Sequence, residues 1–460
     1  MSNYDPSSPL MNLDQLRAQW AGLRRKITRF TWGGAWAASL STNQQRNLTL
    51  FFYDGLFSAA SDKIILTYLT IYLLTLGVTR QQIGFLSSFT NLVDALLLLP
   101  AAFIVEHTGQ RKAITVKGAI ASRVMVLLMA ILPFFLLGSS ALVWVILGLA
   151  LLRDAANNFA YPGWIALTGD IVPIEGRGRY FGARNFIMGL AGILIALIIG
   201  EAITQIGEPL GYQLAYLLAA ILGAVSVTFF ARLRDPRAAT PSQSNPTQAS
   251  GHAIIQDFKD VFSSLKFQPH FIRFVIFIAV WNFSINIAAP FFSVYMVDTL
   301  NLTAAMIGVA TVVNTAANML VQRQVGLLSD KWGNRVVTIG FLALIPVLPL
   351  LWGVWVQHYW QVILIQILGG LLWGGFNLVS FNNLLMQTPT EQRARFSAYY
   401  QIVVTLSLAA GAALGSFLIP RIDFMGVTLA STVLRWVAAL LFVLIVADPA
   451  LSGDHETGQI

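Results

Sequence analysis

Apolar residues in this chain gather into runs of about 20, each long enough to cross ~30 Å of hydrocarbon. Short polar stretches separate the runs. They predict twelve spanning helices, at roughly 50–76, 82–104, 113–137, 141–166, 183–206, 211–231, 271–297, 303–325, 336–357, 361–386, 396–420 and 426–447. An even count puts both termini on one side of the membrane. Outside the spans, only Arg80 and Arg421 fall in outward loops, while every other Lys and Arg precedes the first span or lies in an inward loop. By the positive-inside rule both termini are expected in the cytoplasm, in a multi-pass protein of the cell (inner) membrane.

The polar stretches have patterns of their own. Leu13, Leu16, Trp20, Leu23 and Ile27 recur at steps of three and four among Arg17, Arg24, Arg25, Lys26 and Arg29. That spacing predicts an amphipathic helix on the inner leaflet, with its cations among anionic headgroups. A transit-like or disordered tail shares this composition. Arg234 to Gly251, rich in Pro, Ser, Thr and Gln, reads as a flexible linker. Ile254, Ile255, Phe258, Val261, Phe262 and Leu265 then form a second short amphipathic stripe. The expected organisation is a cytoplasmic segment 1–48, a six-helix half 49–232, a linker 233–269, a second six-helix half 270–448 and a tail 449–460.

Composition narrows the class. Hydrophobic residues make up 56% of the 460 and charged residues 11%, with a mean hydropathy of +0.68. Soluble domains carry roughly 25% charged residues, so most of this apolar surface must face lipid. The net charge of +8 lies between the apolar runs rather than on one soluble face, and nucleic acid is not its expected partner. There is no cysteine, hence no disulfide, thiolate metal site or thiol nucleophile. The first 45 or so residues are polar, which is not the pattern of a cleavable signal. No cofactor or metal is expected.

Two pairs of inward loops repeat. GLLSDKWGNR, from Gly326 to Arg335, follows span eight, and AFIVEHTGQR, from Ala102 to Arg111, is a rougher copy after span two. PIEGRGRYFG, from Pro173, follows span four, and PTEQRARFSA, from Pro389, follows span ten; Pro, Glu, Arg, Arg and an aromatic recur in register. Matched loops imply two six-helix halves in the same orientation, a transporter plan with its site at the interface near midplane.

In these residues the chain resembles the major facilitator superfamily, over nearly everything after residue 50. The family's hallmark after spans two and eight is Gly, three residues, Asp, a basic residue, any residue, Gly, then basic residues. The second copy keeps Gly326, Asp330, Lys331, Gly333 and Arg335. The first has Ala102 for the leading glycine, Glu106 for the acid and His107 for the base, and keeps Gly109, Arg111 and Lys112. The resemblance implies an all-α polytopic membrane protein of twelve transmembrane helices in two parallel six-helix pseudo-repeats, with these loops gating the cytoplasmic side. Independently of the family, Gly333 suits a tight turn needing positive φ, Asp330 can accept hydrogen bonds, and the basic residues anchor at the inner leaflet.

Charges within the spans are expensive and therefore mark function or pairing. Asp62, Lys63, Asp94, Arg123, Arg153 and Asp154 all lie in spans one to four. Helical spacing puts Asp54, Ser58, Ser61, Tyr68 and Tyr72 on one face of span one, with Asp62 at its border and Lys63 about 100° further round, better suited to a structural pair. Ser87, Asn91 and Asp94 share a face of span two; Arg153, Asn157 and Tyr161 line an edge of span four. The second half carries neutral amides instead: Asn282 and Asn286, Asn314, Asn318 and Gln322, and Asn377 with Trp373, while Arg435 is its one mid-span charge. Such a set suits hydrogen bonding and stacking against a polar solute, although single asparagines also bridge helices. In the register of the repeated loops, Asp94 corresponds to Asn318.

The expected function is secondary active transport of a small organic solute by alternating access, coupled to protons through Asp62 or Asp94, in a monomer whose other partners are the lipid bilayer and the solute. A drug or metabolite exporter working by proton antiport is the alternative. Span five, GLAGILIALIIGEAI, lacks the Gly-Pro step of the family's drug antiporters. A polytopic acyl or glycosyl transferase is a third reading, but His107, His252, His270, His358 and His455 all sit in loops or at span ends without a paired acid in acyl-transfer spacing.

Overall fold

The computed structural model describes residues 29, 31–32, 34–136, 138–235, 269–387 and 393–446. Both amphipathic stripes, the linker beyond Asp235, residues 389–392 of the second repeated loop pair and the tail 449–460 lie outside the described residues.

The described chain is helical throughout its long elements. The first half contains α1 (Thr42–Thr75), α2 (Arg80–Thr108), α3 (Arg111–Leu136), α4 (Ser140–Ile171), α5 (Arg177–Ile206) and α6 (Leu210–Ala231). The second contains α7 (Pro269–Asp298), α8 (Ala304–Trp332), α9 (Asn334–Leu344, resuming as Val347–Val354), α10 (Tyr359–Gln387) and the stretch Arg393–Ile445. That last stretch holds 53 residues. A single helix of this length would run ~80 Å, more than twice a bilayer core. Asp423 breaks it with φ 54, so it is two antiparallel spans, α11 before the break and α12 after it. Counting this stretch once gives eleven candidate spans among the described residues; the break makes twelve crossings.

Local sequence explains where the helices start and stop. Ser41 and Thr79 cap α1 and α2 with reciprocal bonds to Gln44 and Gln82, which satisfy N–H groups that lipid cannot. Gly109 ends α2 in the left-handed conformation at φ 62, and Gly333 turns α8 into α9 at φ 82. The one expected span at 336–357 is interrupted at Pro346, where the ring removes a donor and crowds the preceding turn.

Large apolar side chains such as Phe135, Leu66, Trp144 and Leu444 are mostly exposed, as a lipid-facing surface requires. A continuous apolar core runs through both halves, and a smaller one at one end joins Ala37, Leu48, Phe51, Leu167, Tyr180 and Phe230. Trp32 donates its indole N–H to Thr49 at 2.9 Å, and the Gln45 amide caps the carbonyls of Ala37, Ala38 and Leu40, tying the chain before α1 to this end.

The two ends of the bundle differ. One, the basic end, carries the α2–α3 and α8–α9 turns; Glu106, Asp330 and Lys331 are exposed there. At the opposite end the halves touch. Arg80 pairs with Asp298 at 2.8 Å, and Ala305 N–H donates to Thr204 Oγ at 3.1 Å. The α2–α11 and α5–α8 contacts run between the halves. Gly308 lies so close to α5 that an added Cβ would stand 3.0 Å from Ala196 O and 2.7 Å from the Tyr68 hydroxyl. Two further hydrogen bonds between halves, Ser88 to Ala409 O and Lys63 to Thr315, lie near mid-span. The halves thus meet at the opposite end and near mid-span.

Candidate functional site

In the first half the polar face of α1 meets cations from α3 and α4. Arg123 donates from one nitrogen to Asp62 at 2.8 Å and to Ser61 at 3.1 Å, and from the other to Ser58 at 3.2 Å. Ser58 also donates to Asp62 at 3.0 Å. Arg153 stands 3.7 Å from the same Asp62 oxygen and pairs closely with its neighbour Asp154. Asp62 therefore holds two guanidinium groups while its own side chain is one-third exposed (34%), and both arginines are buried. Charge-assisted bonds of this kind are the strong ones, and removing one partner of a buried pair costs about 3–5 kcal/mol.

A second pair lies nearer the basic end. Ser226 of α6 donates to Asp54 at 2.7 Å, and Arg184 of α5 approaches the other Asp54 oxygen at 4.0 Å while lying 4.2 Å over the Phe51 ring. A cavity of about 370 Å³ joins the two pairs. Its wall includes Asp54, Asp62, Arg123 and Arg184, with Asn157, Tyr161, Trp164 and Asn185. Tyr161 and Trp164 stack at 6.0 Å.

Asp94 sits outside that cavity. Its carboxylate accepts from Asn158, whose amide also donates to Asp154 O at 3.2 Å, so a neutral amide links α2 to α4. Direct pairing of Asp94 with Arg123 or Arg153 is not present. Lys63, expected in a structural ion pair, reaches across the halves to Thr315 at 3.4 Å and has no carboxylate partner among the described residues. Four acids and four cations are embedded in the spans of this half: the six charges near mid-span, Asp54 of the α1 polar face, and Arg184. Arg184 was hidden by its place beside the basic loop residues Arg177 and Arg179. The available signal was Gly55 and Gly223: a Cβ at either would overlap Arg184 or Arg123, so both glycines make room for a guanidinium.

The amides of the second half do not converge on one wall. Asn282 bonds a carbonyl one turn back on its own helix, as Asn91 does in the first half. Asn286 ties α7 to α11 through Leu408 O at 2.7 Å, and Asn318 accepts from Gln322. Asn377 is exposed. Asn314 and Trp373 do share a cavity, of about 300 Å³, with Gln366, Ser293, Trp352 and Arg435.

Of the turn residues, Arg111 pairs with Asp170 and, at 2.9 Å, with Asp235, staying within its own half. Arg335 donates to Val443 O at 3.0 Å. Gly326 lies on α8 against Leu378 at 3.9 Å from a built Cβ. Among the described residues no cluster of His, Cys, Asp or Glu is arranged to hold a metal.

The family model of the Major Facilitator Superfamily matches residues 55–287 and 274–459, once over each half. The chain belongs to this superfamily. It is a membrane-embedded transporter of small solutes, with the fold the repeated loops imply. Among curated members of the superfamily, it is 25% identical to the Multidrug resistance protein MdtG of Serratia proteamaculans, covering 81% of this chain and 87% of that one. It is 23% identical to the Multi-drug resistance efflux pump PmrA homolog of Lactococcus lactis subsp. lactis, over 84% and 91%. Among solved structures, the nucleoside transporter NupG superposes with a TM-score of 0.68 at 13% identity, over 86% of this chain and 99% of that one. A POT family transporter bound to a thioalcohol-conjugated peptide superposes at 0.62 and 15% identity, over 86% and 94%. These structural likenesses establish the fold alone.

Proposed function

We propose that this superfamily member exports a small organic solute in exchange for protons, with Asp62 as the coupling carboxylate. The observation that carries the reading is the geometry of Asp62: one carboxylate holds Arg123 and Arg153 at the edge of a cavity while remaining partly exposed. Protonating it leaves two buried guanidiniums short of one negative charge. That imbalance favours any rearrangement or solute contact that relieves it, and linkage then makes proton and solute binding interdependent. Export accords with the efflux named for the curated relatives.

The basic residues at the α2–α3 and α8–α9 turns support a cytoplasmic basic end, and so an inward-open state closed by Arg80–Asp298 on the outside. The exposed Asp330 and Lys331 then belong to an inner gate in its released form. We take the functional unit to be a monomer in the cell membrane.

Purified protein in liposomes with an imposed pH gradient tests the coupling. Asp62→Asn should abolish gradient-driven movement of a fluorescent organic solute yet preserve its downhill equilibration. Asp94→Asn, which keeps an amide where Asn318 stands in the repeat, should retain coupling. Wild-type accumulation by Asp62→Asn refutes the assignment; loss confined to Asp94→Asn moves it to Asp94.

A further inference from the structure

Among the described residues, Arg435 is the one charged residue in the interior of the second half, and no counter-charge faces it. The residue is 2% exposed. No carboxylate lies within ion-pairing distance of it among the described residues. One terminal nitrogen reaches Ile285 O at a long 3.4 Å, and Nε has no hydrogen-bond partner. Its guanidinium carbon lies 5.9 Å from the Trp373 ring centre, which is weak compensation. A buried cation in this condition is costly unless an anion completes it.

The surroundings say which anion. Arg435 opens onto the cavity of about 300 Å³ between α7, α8, α9, α10 and α12, and no acid lines that cavity. Its polar wall offers donors: the Ser293 hydroxyl and the Gln366 amide, whose oxygen is already taken by Asn314 at 3.1 Å. The rest is apolar or aromatic, with Trp352 and Trp373 supplying ring faces. The volume falls at the small end of ligand cavities, ~300–1,000 Å³. A guanidinium pairs strongly with a carboxylate, and indole faces suit a planar body beside it.

We propose that this cavity binds the carboxylate of a small aromatic organic anion, held by Arg435. The proposal rests on the transport reading, since it names a class of solute for it, yet its test needs no gradient. Equilibrium binding of indole-3-acetate to the full chain in nanodiscs is compared with its neutral isostere, indole-3-acetamide. The wild type should prefer the carboxylate at least tenfold. Arg435→Gln should erase that preference while leaving amide affinity unchanged, and Arg435→Lys should fall between, keeping the charge without the fork.

If Arg435→Gln does not fold, Gln366→Glu decides. It places a carboxylate in the same wall, keeps the oxygen that Asn314 uses, and should expel indole-3-acetate at least tenfold without lowering the melting temperature. Equal wild-type affinity for acid and amide, or undiminished acid binding by Arg435→Gln or Gln366→Glu, overturns the proposal. Competition by chloride at concentrations equal to the indole acid reassigns the site to an inorganic anion and overturns it too. Loss of proton coupling in Asp62→Asn leaves this result untouched, and failure here leaves the Asp62 result standing.

Discussion

Replacing Gly308 with alanine should push the halves apart at the opposite end. A Cβ there would meet the Tyr68 hydroxyl at 2.7 Å and Ala196 O at 3.0 Å, both in the other half. Tyr68 cannot easily yield, because its hydroxyl donates to Ala196 O at 2.6 Å and giving up that bond costs about 1 kcal/mol. Overpacking a tight contact costs about 1–3 kcal/mol. Alanine also improves helix propensity by about 1 kcal/mol over glycine, but that gain is the same in every conformation of α8 and does not move the balance between them. The net bias against the closed opposite end is therefore about 1–3 kcal/mol, or roughly five- to 150-fold in population.

The chain has no cysteine, so spin labels can be placed on Gln205→Cys and Thr299→Cys without background. Double electron–electron resonance should show the longer-distance population grow in Gly308→Ala. Gly411→Ala is the control: its Cβ would meet Phe283 O at 2.3 Å, within one half, so it should lower stability without changing the distance distribution. An unchanged distribution in a folded Gly308→Ala protein would refute the view that this contact seals the bundle.

Arg111 holds Asp170 and Asp235 with its side chain only 13% exposed, so Arg111→Met should cost about 3–5 kcal/mol and lower the melting temperature, with Arg111→Lys recovering part of the loss because the fork is gone. The Arg80–Asp298 pair is far more exposed and should be worth only about 0.2–1 kcal/mol. Arg80→Asp should therefore weaken opposite-end closure up to about fivefold in the same resonance assay, and the Arg80→Asp/Asp298→Arg reversal should restore it. A reversal no better than the single change would mean the pair is incidental.

Much of the frame was legible because lipid restricts the choices: long apolar runs must be helices, and the turns between them keep their glycines. Asp62, Arg123, Arg153 and Asp154 were legible as charges that lipid would not tolerate singly. What periodicity could not supply is the azimuth of one helix against its neighbours. Asn286 shows this, since its amide goes to the α11 backbone rather than to a cavity. Lys63 shows it in reverse: a position turned away from the polar face of α1 looks out across the interface between halves, not into an ion pair. Arg184 escaped for another reason. It lies so near the basic end that hydropathy merges it with the loop residues Arg177 and Arg179, although its burial and its approach to Asp54 make it part of the cavity wall.

The two halves divide the electrostatic work unequally, and the division bears on what drives transport. In the first half acids and cations balance, so a proton bound at Asp62 adds a charge to a neutral set. In the second half Arg435 already carries an excess charge that an anionic solute would cancel. An exporter that brings one proton in and sends one organic anion out moves two charges in the same electrical sense, whereas a neutral solute exchanged for one proton moves one. Each charge is worth ~2.3 kcal/mol per 100 mV, so the anion exchange gains about twice the driving force from an inside-negative potential. A carboxylate-accepting pocket at Arg435 and a proton site at Asp62, as proposed, would together make membrane voltage, and not the pH gradient alone, a principal source of work.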